Sequence, residues 1–155
     1  MVNLNWCKKQ EGGIKVIEPN INLSEDYIKS AEETLILLKD IKDKSNMWSA
    51  TMKYYCEYFA VYSLLIRIGI KCEIHDCTIK ICGILEKEGI LPKGTFNRLE
   101  KDKGLRIDNQ YYLKNIKVDI NFSELSDFIV QIKNINSTLT LEKINKIRKT
   151  MGATS

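Results

Sequence analysis

Proline and histidine are scarce in this chain, with two prolines and one histidine among 155 residues. So few prolines leave long helices uninterrupted, and they argue against disorder away from the ends. The single histidine narrows any imidazole chemistry to one position, His75. Long apolar runs are missing too. The longest, residues 59–70, is broken by Ser63 and Arg67, well short of the roughly 18 residues a membrane span needs. The N-terminus offers no basic stretch followed by an apolar one, so no secretory leader is expected. Five cysteines in such a chain read as reduced thiols of a cytoplasmic protein. Also absent are a phosphate-binding Walker loop, a G-x-S-x-G elbow, an H-E-x-x-H helix and a G-x-G-x-x-G turn, which excludes the common nucleotide-cofactor and hydrolase chemistries.

What is present is an ordinary globular composition, 44% hydrophobic and 28% charged, long enough for one core without staples. A single domain over residues 1–155 is expected, with a short helix and linker in 1–22 and a basic helix and tail in 140–155. The net charge of +4 is spread along the chain and mixed with 20 acids. It permits a nucleic-acid partner without arguing for one.

Helical periodicity dominates. Tyr27, Ile28, Ala31, Leu35, Leu38 and Ile41 draw one apolar stripe along residues 23–41, with Ser24 as the expected N-cap. Trp48, Met52, Tyr55, Phe59, Tyr62, Leu65 and Ile66 mark a second helix over 47–68, closed by Gly69. Its broad apolar face predicts a central helix with neighbours on several sides, and a surplus of surface for self-association. A third helix is predicted over 75–88, stopped by Gly89 and antiparallel to the second. Residues 90–103, with Pro92, Gly94 and mixed charges, read as a mobile loop with at most a turn near Phe96. A short helix is expected over 105–113. Asn121 with Glu124 gives a capping-box-like start for a helix over 125–135, and Thr140 opens a last one to Met151, closed by Gly152. The strand-like residues 14–17 are too few to build a sheet alone.

Tyr54-Tyr55-Cys56-Glu57-Tyr58-Phe59, then Ser63-Leu64-Leu65, Gly69-Ile70-Lys71 and His75, resemble the signature of small HEPN proteins. Trp6-Cys7-Lys8-Lys9, Ile17-Glu18-Pro19-Asn20, Tyr27, Ala31-Glu32 and Leu35 are similar to the N-terminal part of archaeal members. Arg106 and Tyr111 are similar to a downstream segment, in which Asn109 and Gln110 replace the family's Ala and Asp. The resemblance implies an all-α, antiparallel four- to five-helix up-and-down bundle, forming a homodimer through the second and third helices. It also implies a link to a minimal nucleotidyltransferase in a toxin–antitoxin-like system, with RNA or nucleotide as ligand and no cofactor.

Many such proteins are metal-independent endoribonucleases carrying an R-x4-6-H motif. An arginine grips the scissile phosphate while an imidazole moves a proton at the ribose 2′-oxygen. Here seven residues separate Arg67 from His75, so the motif is incomplete and Arg106 is the better partner. The resemblance thus makes His75, Arg106 and Arg67 the candidate catalytic residues. Tyr55, Lys71, Asp76 and Tyr111 are the candidate RNA or nucleotide contacts.

Each has a plainer reading. His75 caps a helix or bonds across a helix junction, Asp76 answers the helix dipole, and Arg67 rims an apolar face. Tyr54, Tyr55, Tyr58 and Tyr62 pack a core or a dimer interface rather than stack bases. The basic run Lys93, Arg98, Lys101, Lys103 and Arg106 is a solvated loop. Cys72, His75, Cys77 and Cys82 lack the paired spacing of a zinc site, so no metal is expected. The alternatives to an RNA-directed HEPN protein are a non-catalytic dimeric interaction module and a small-ligand protein with a tyrosine-lined cleft.

Overall fold

The longest apolar stripe becomes the axis of the molecule. The computed structural model describes residues 2–152, so the last three residues of the expected C-terminal tail lie outside the described residues. It contains α1 (Leu4–Lys9), β1 (Lys15–Val16), α2 (Ile21–Ile41), α3 (Asn46–Ile68), β2 (Ile70–Lys71), α4 (His75–Lys87), α5 (Thr95–Gln110), α6 (Phe122–Thr138) and α7 (Leu141–Met151). The protein is all-α apart from one antiparallel pair, with Lys15 opposite Lys71 and Val16 opposite Ile70. Among the described residues no helix is long and apolar enough to cross a membrane.

Helix α3 is central, as its broad apolar face predicts. It buries residues all round its circumference, from Ala50 and Tyr54 to Leu64 and Ile68, against α2, α5 and α6. That packing uses, inside one chain, much of the breadth that suggested self-association. Gly69 ends α3 in the left-handed region at φ 87°, where its missing Cβ avoids strain. Helix α2 runs antiparallel to α3, with Ser24 Oγ donating to the Ser63 carbonyl at one end and Ser49 near the α2 C-terminus at the other.

Several expectations are corrected. Ser24 is not the cap of α2; Asn20 is, accepting from the Leu23 N–H at 2.9 Å. The stripe failed to mark this start because Ile21 and Leu23 in the first turn face solvent. The antiparallel neighbours of α3 are α2 and α5 rather than α4, which meets α3 mainly through tyrosine side chains. Only residues 90–94 of the expected 90–103 loop are a loop, since α5 begins at Thr95 and continues into the predicted 105–113 helix as far as Gln110. Its N-terminus is capped from another helix: the Glu86 carboxylate accepts from Gly94 N–H at 2.8 Å and Phe96 N–H at 3.0 Å.

The cysteines are corrected as well. Cys7 and Cys77 form a disulfide that ties α1 to the first turn of α4, while Cys56, Cys72 and Cys82 are free and buried. The two partners are 70 residues apart in sequence, and nothing in local spacing signals the contact. Helix α7 is held at the far end of α3 by Arg148, whose guanidinium donates to the carbonyls of Ile17, Ile68 and Gly69.

Candidate functional site

Helix α3 presents Tyr54, Tyr55, Tyr58 and Tyr62 at helical spacing, and three of the four are buried. Tyr54 and Tyr58 stack in tilted fashion at 5.6 Å, and Tyr58 stacks on Tyr62 at 5.7 Å. The core reading of these rings is therefore correct for Tyr54, Tyr58 and Tyr62, and Tyr55 is left half-buried at the edge.

His75 is the first residue of α4 and lies flat against this column, 4.3 Å from the Tyr58 ring. Its Nδ1 meets the Tyr54 hydroxyl at 2.8 Å. Burial raises the Tyr54 hydroxyl far above its ordinary range, so it stays a phenol. Tyr54 is fully buried and its hydroxyl has no other partner among the described residues. The arrangement that satisfies both groups has Tyr54 O–H donating to Nδ1. The imidazole proton then sits on Nε2, which makes no hydrogen bond among the described residues. Burial, followed by the charges of Arg106 and Lys103, holds the imidazole below the ordinary histidine value of 6.5, with Asp76 pulling the other way. His75 is neutral at pH 7.

Arg106 on α5 reaches the same column. Its guanidinium lies 4.9 Å from the Tyr54 ring and 5.5 Å from the Tyr55 ring, and Nη1 donates to the Tyr55 hydroxyl at 3.2 Å. Its Nε–H is buried without an acceptor among the described residues. Asp76 borders the cluster and is paired with Lys103. Thus His75, Arg106, Tyr55 and Asp76 come together.

The remaining candidates do not join them. Arg67 lies in the last turn of α3 and lines a separate groove with α2 and α6 residues, because seven residues of helix end and return strand carry the chain away before His75. Lys71 is exposed on β2 and pairs with Glu73 at 2.8 Å. Tyr111 caps α5 and is 67% exposed, one turn beyond Arg106 and turned to solvent. Cys77 is committed to Cys7, and among the described residues no three His, Cys, Asp or Glu side chains converge as metal ligands.

Sequence reasoning missed a second polar cluster between α3 and α5. Glu57, fully buried, accepts from Arg98 Nε at 2.7 Å, and Asp102, 3% exposed, pairs with Lys53 at 3.1 Å. Burial, together with the neighbouring Asp102 carboxylate, pushes the Glu57 carboxyl up to about 8, against the pull of Arg98. Its Oε2 finds no donor among the described residues. The raised value keeps a proton on the Glu57 carboxyl beside the Asp102 carboxylate. The one signal in the sequence was an acid placed inside the apolar run 54–66.

A scan against protein-family models finds no match to this chain, and searches of curated proteins and of solved structures find none either. Fold and site together define an all-α protein in which an imidazole and a guanidinium converge on a buried tyrosine.

Proposed function

We infer that the His75, Arg106 and Tyr55 cluster recognises a phosphate of RNA or of a nucleotide, in a HEPN-like helical protein of the kind encoded beside a minimal nucleotidyltransferase. The observation that carries this reading is the convergence of His75 and Arg106 on Tyr54 from two different helices. Together they bring the groups a phosphodiester uses: a guanidinium, whose Nη1 reaches Tyr55 and whose buried Nε–H has no acceptor among the described residues, and a neutral imidazole with its Nε2–H unengaged. Tyr55, half-buried beside them, supplies a face for a base.

Recognition is favoured over cleavage by the hydrogen bond into Nδ1. With that nitrogen occupied and Nε2 protonated, His75 enters as a donor, whereas a general base needs a free lone pair. Self-association belongs to the same reading, with a second copy meeting the edge formed by Tyr55, Phe59 and the 50% exposed Trp48.

The experiment is binding and cleavage of single-stranded RNA in the presence of a chelator, with sedimentation of the same samples. Wild type is expected to retain RNA without cutting it. His75→Ala and Arg106→Ala should each weaken retention by about tenfold, the size of one charge-assisted hydrogen bond, with far-UV circular dichroism confirming folded variants. Cleavage lost in both variants would move the conclusion to a metal-independent endonuclease. Neither retention nor cleavage by a folded wild type would defeat both, and leave a non-catalytic module that docks a partner protein.

A further inference from the structure

The protein has four arginines. Arg98 holds Glu57, Arg106 holds Tyr55, and Arg148 holds three backbone carbonyls. Arg67 alone has neither a hydrogen bond nor an ion pair among the described residues, although it is half-buried. It lines a groove of about 410 Å³ between α2, the end of α3 and α6, a size suited to a small molecule.

The other groups of this groove sort into those already paired and those not. Lys133 is paired with Glu32 at 2.7 Å, Lys29 with Asp26 at 3.7 Å, and Ser24 is tied to the Ser63 carbonyl. Asn136 donates through Nδ2 to Ser63 Oγ at 2.9 Å, and Ser63 Oγ itself donates to the Ala60 carbonyl. That chain fixes the amide orientation and leaves Asn136 Oδ1 buried with no donor. Such an acceptor calls for an explanation, because an unmet buried polar atom is costly. Glu25, exposed at the rim, pairs with no cation among the described residues. What remains is one guanidinium, one carboxylate and one neutral acceptor, beside the apolar side of Ile28.

We propose that this groove binds a small ammonium–carboxylate zwitterion of the α-amino acid class, its carboxylate on Arg67 and its ammonium between Asn136 Oδ1 and Glu25. A plain anion would answer Arg67 and leave the acceptor unmet. A plain amine would answer Glu25 and be repelled by Arg67 and the two lysines. The zwitterion answers all three groups, and a planar guanidinium matches a carboxylate with two parallel N–H donors. Asn136 Oδ1 is closed to bulk water in this arrangement, so entry requires the wall to shift. Arg67, half-exposed and without a hydrogen bond or ion pair among the described residues, is a groove-lining side chain free to move.

The test is titration of the common L-amino acids, one at a time, into the isotope-labelled full chain, followed by two-dimensional amide spectra. At least one is expected to bind saturably and move the Asn136 side-chain amide resonances. Arg67→Gln should weaken that binding by about tenfold, as loss of one charge-assisted hydrogen bond does. Glu25→Gln, a change at an exposed position that leaves folding intact, should weaken it too, and the 2-hydroxy acid with the same side chain should bind less tightly. Three outcomes overturn the proposal: no amino acid moves the resonances, inorganic phosphate moves them equally, or both variants bind as wild type does.

Discussion

At the scale of single residues, the most consequential side chain outside the His75 cluster is Glu57. Its carboxyl titrates ordinarily near 4.5 and is pushed up to about 8 in the folded chain, first by burial and then by Asp102. The folded state therefore holds a proton that the unfolded state releases. Between these two values folding binds the proton, so stability is greatest below the lower value and is lost as pH rises through the upper one. The groups facing Glu57 are Lys53 on its own helix and Arg98 and Asp102 on α5. Glu57→Gln keeps a neutral side chain with a donor toward Asp102. Thermal unfolding followed across pH should show the wild-type midpoint falling from about pH 5 to about pH 8, with a shallower fall in Glu57→Gln. Equal slopes in the two proteins would show that Glu57 is not the group responsible. His75 illustrates the same scale differently. Its presence is plain from composition and the family resemblance singles out Arg106 as its partner, but the Tyr54 hydrogen bond was not legible, since Tyr54 lies 21 residues away.

At the scale of elements, caps decide where helices begin and end, and some of them are local while others are not. Asn121 accepting from the Glu124 N–H, Thr140 opening α7, and Gly69 and Gly152 closing α3 and α7 all act within a few residues of the helix they bound, so they were legible in sequence. Helix α5 was not. Its cap is Glu86 on another helix, and beside the apolar Phe96 and Leu99 its packed side carries Arg98, Asp102, Lys103 and Arg106. Two apolar core positions in 16 residues are too few for a stripe, so a search for apolar periodicity misses a helix that also docks through ion pairs. The end of α3 is the element junction with least tolerance. A Cβ at residue 69 would fall 2.0 Å from Arg148 Nη1 and 2.4 Å from the Ile17 carbonyl oxygen, at a positive φ. Gly69→Ala should therefore cost about 2–4 kcal/mol through backbone strain and displacement of Arg148, measured as a shift of the urea midpoint. A change below about 0.5 kcal/mol would mean that Arg148 moves aside freely.

At the scale of the whole molecule, the Cys7–Cys77 link closes a loop of 70 residues, joining the N-terminal helix to the one that carries His75. A cross-link of this span restricts the unfolded chain enough to contribute roughly 2–4 kcal/mol. Denaturation with and without a thiol reductant should differ by that amount in wild type and not at all in Cys7→Ser. Alkylation of the denatured, unreduced chain should label three cysteines, those that are free and buried in the fold. Labelling of all five would remove the link from the account.

The sequence by itself determined that the protein is helical, which helix is central, and where most helices begin and end. Apolar period, N-caps and left-handed glycines act over a few residues, and a chain of one-dimensional letters records such short-range causes. Only the tertiary structure decided that α5 exists as one helix, that Tyr54 hydrogen-bonds His75, and that Cys7 finds Cys77. Charge pairs, hydrogen bonds between side chains and disulfides depend on distances between helices, and those are set by the packing of the core as a whole.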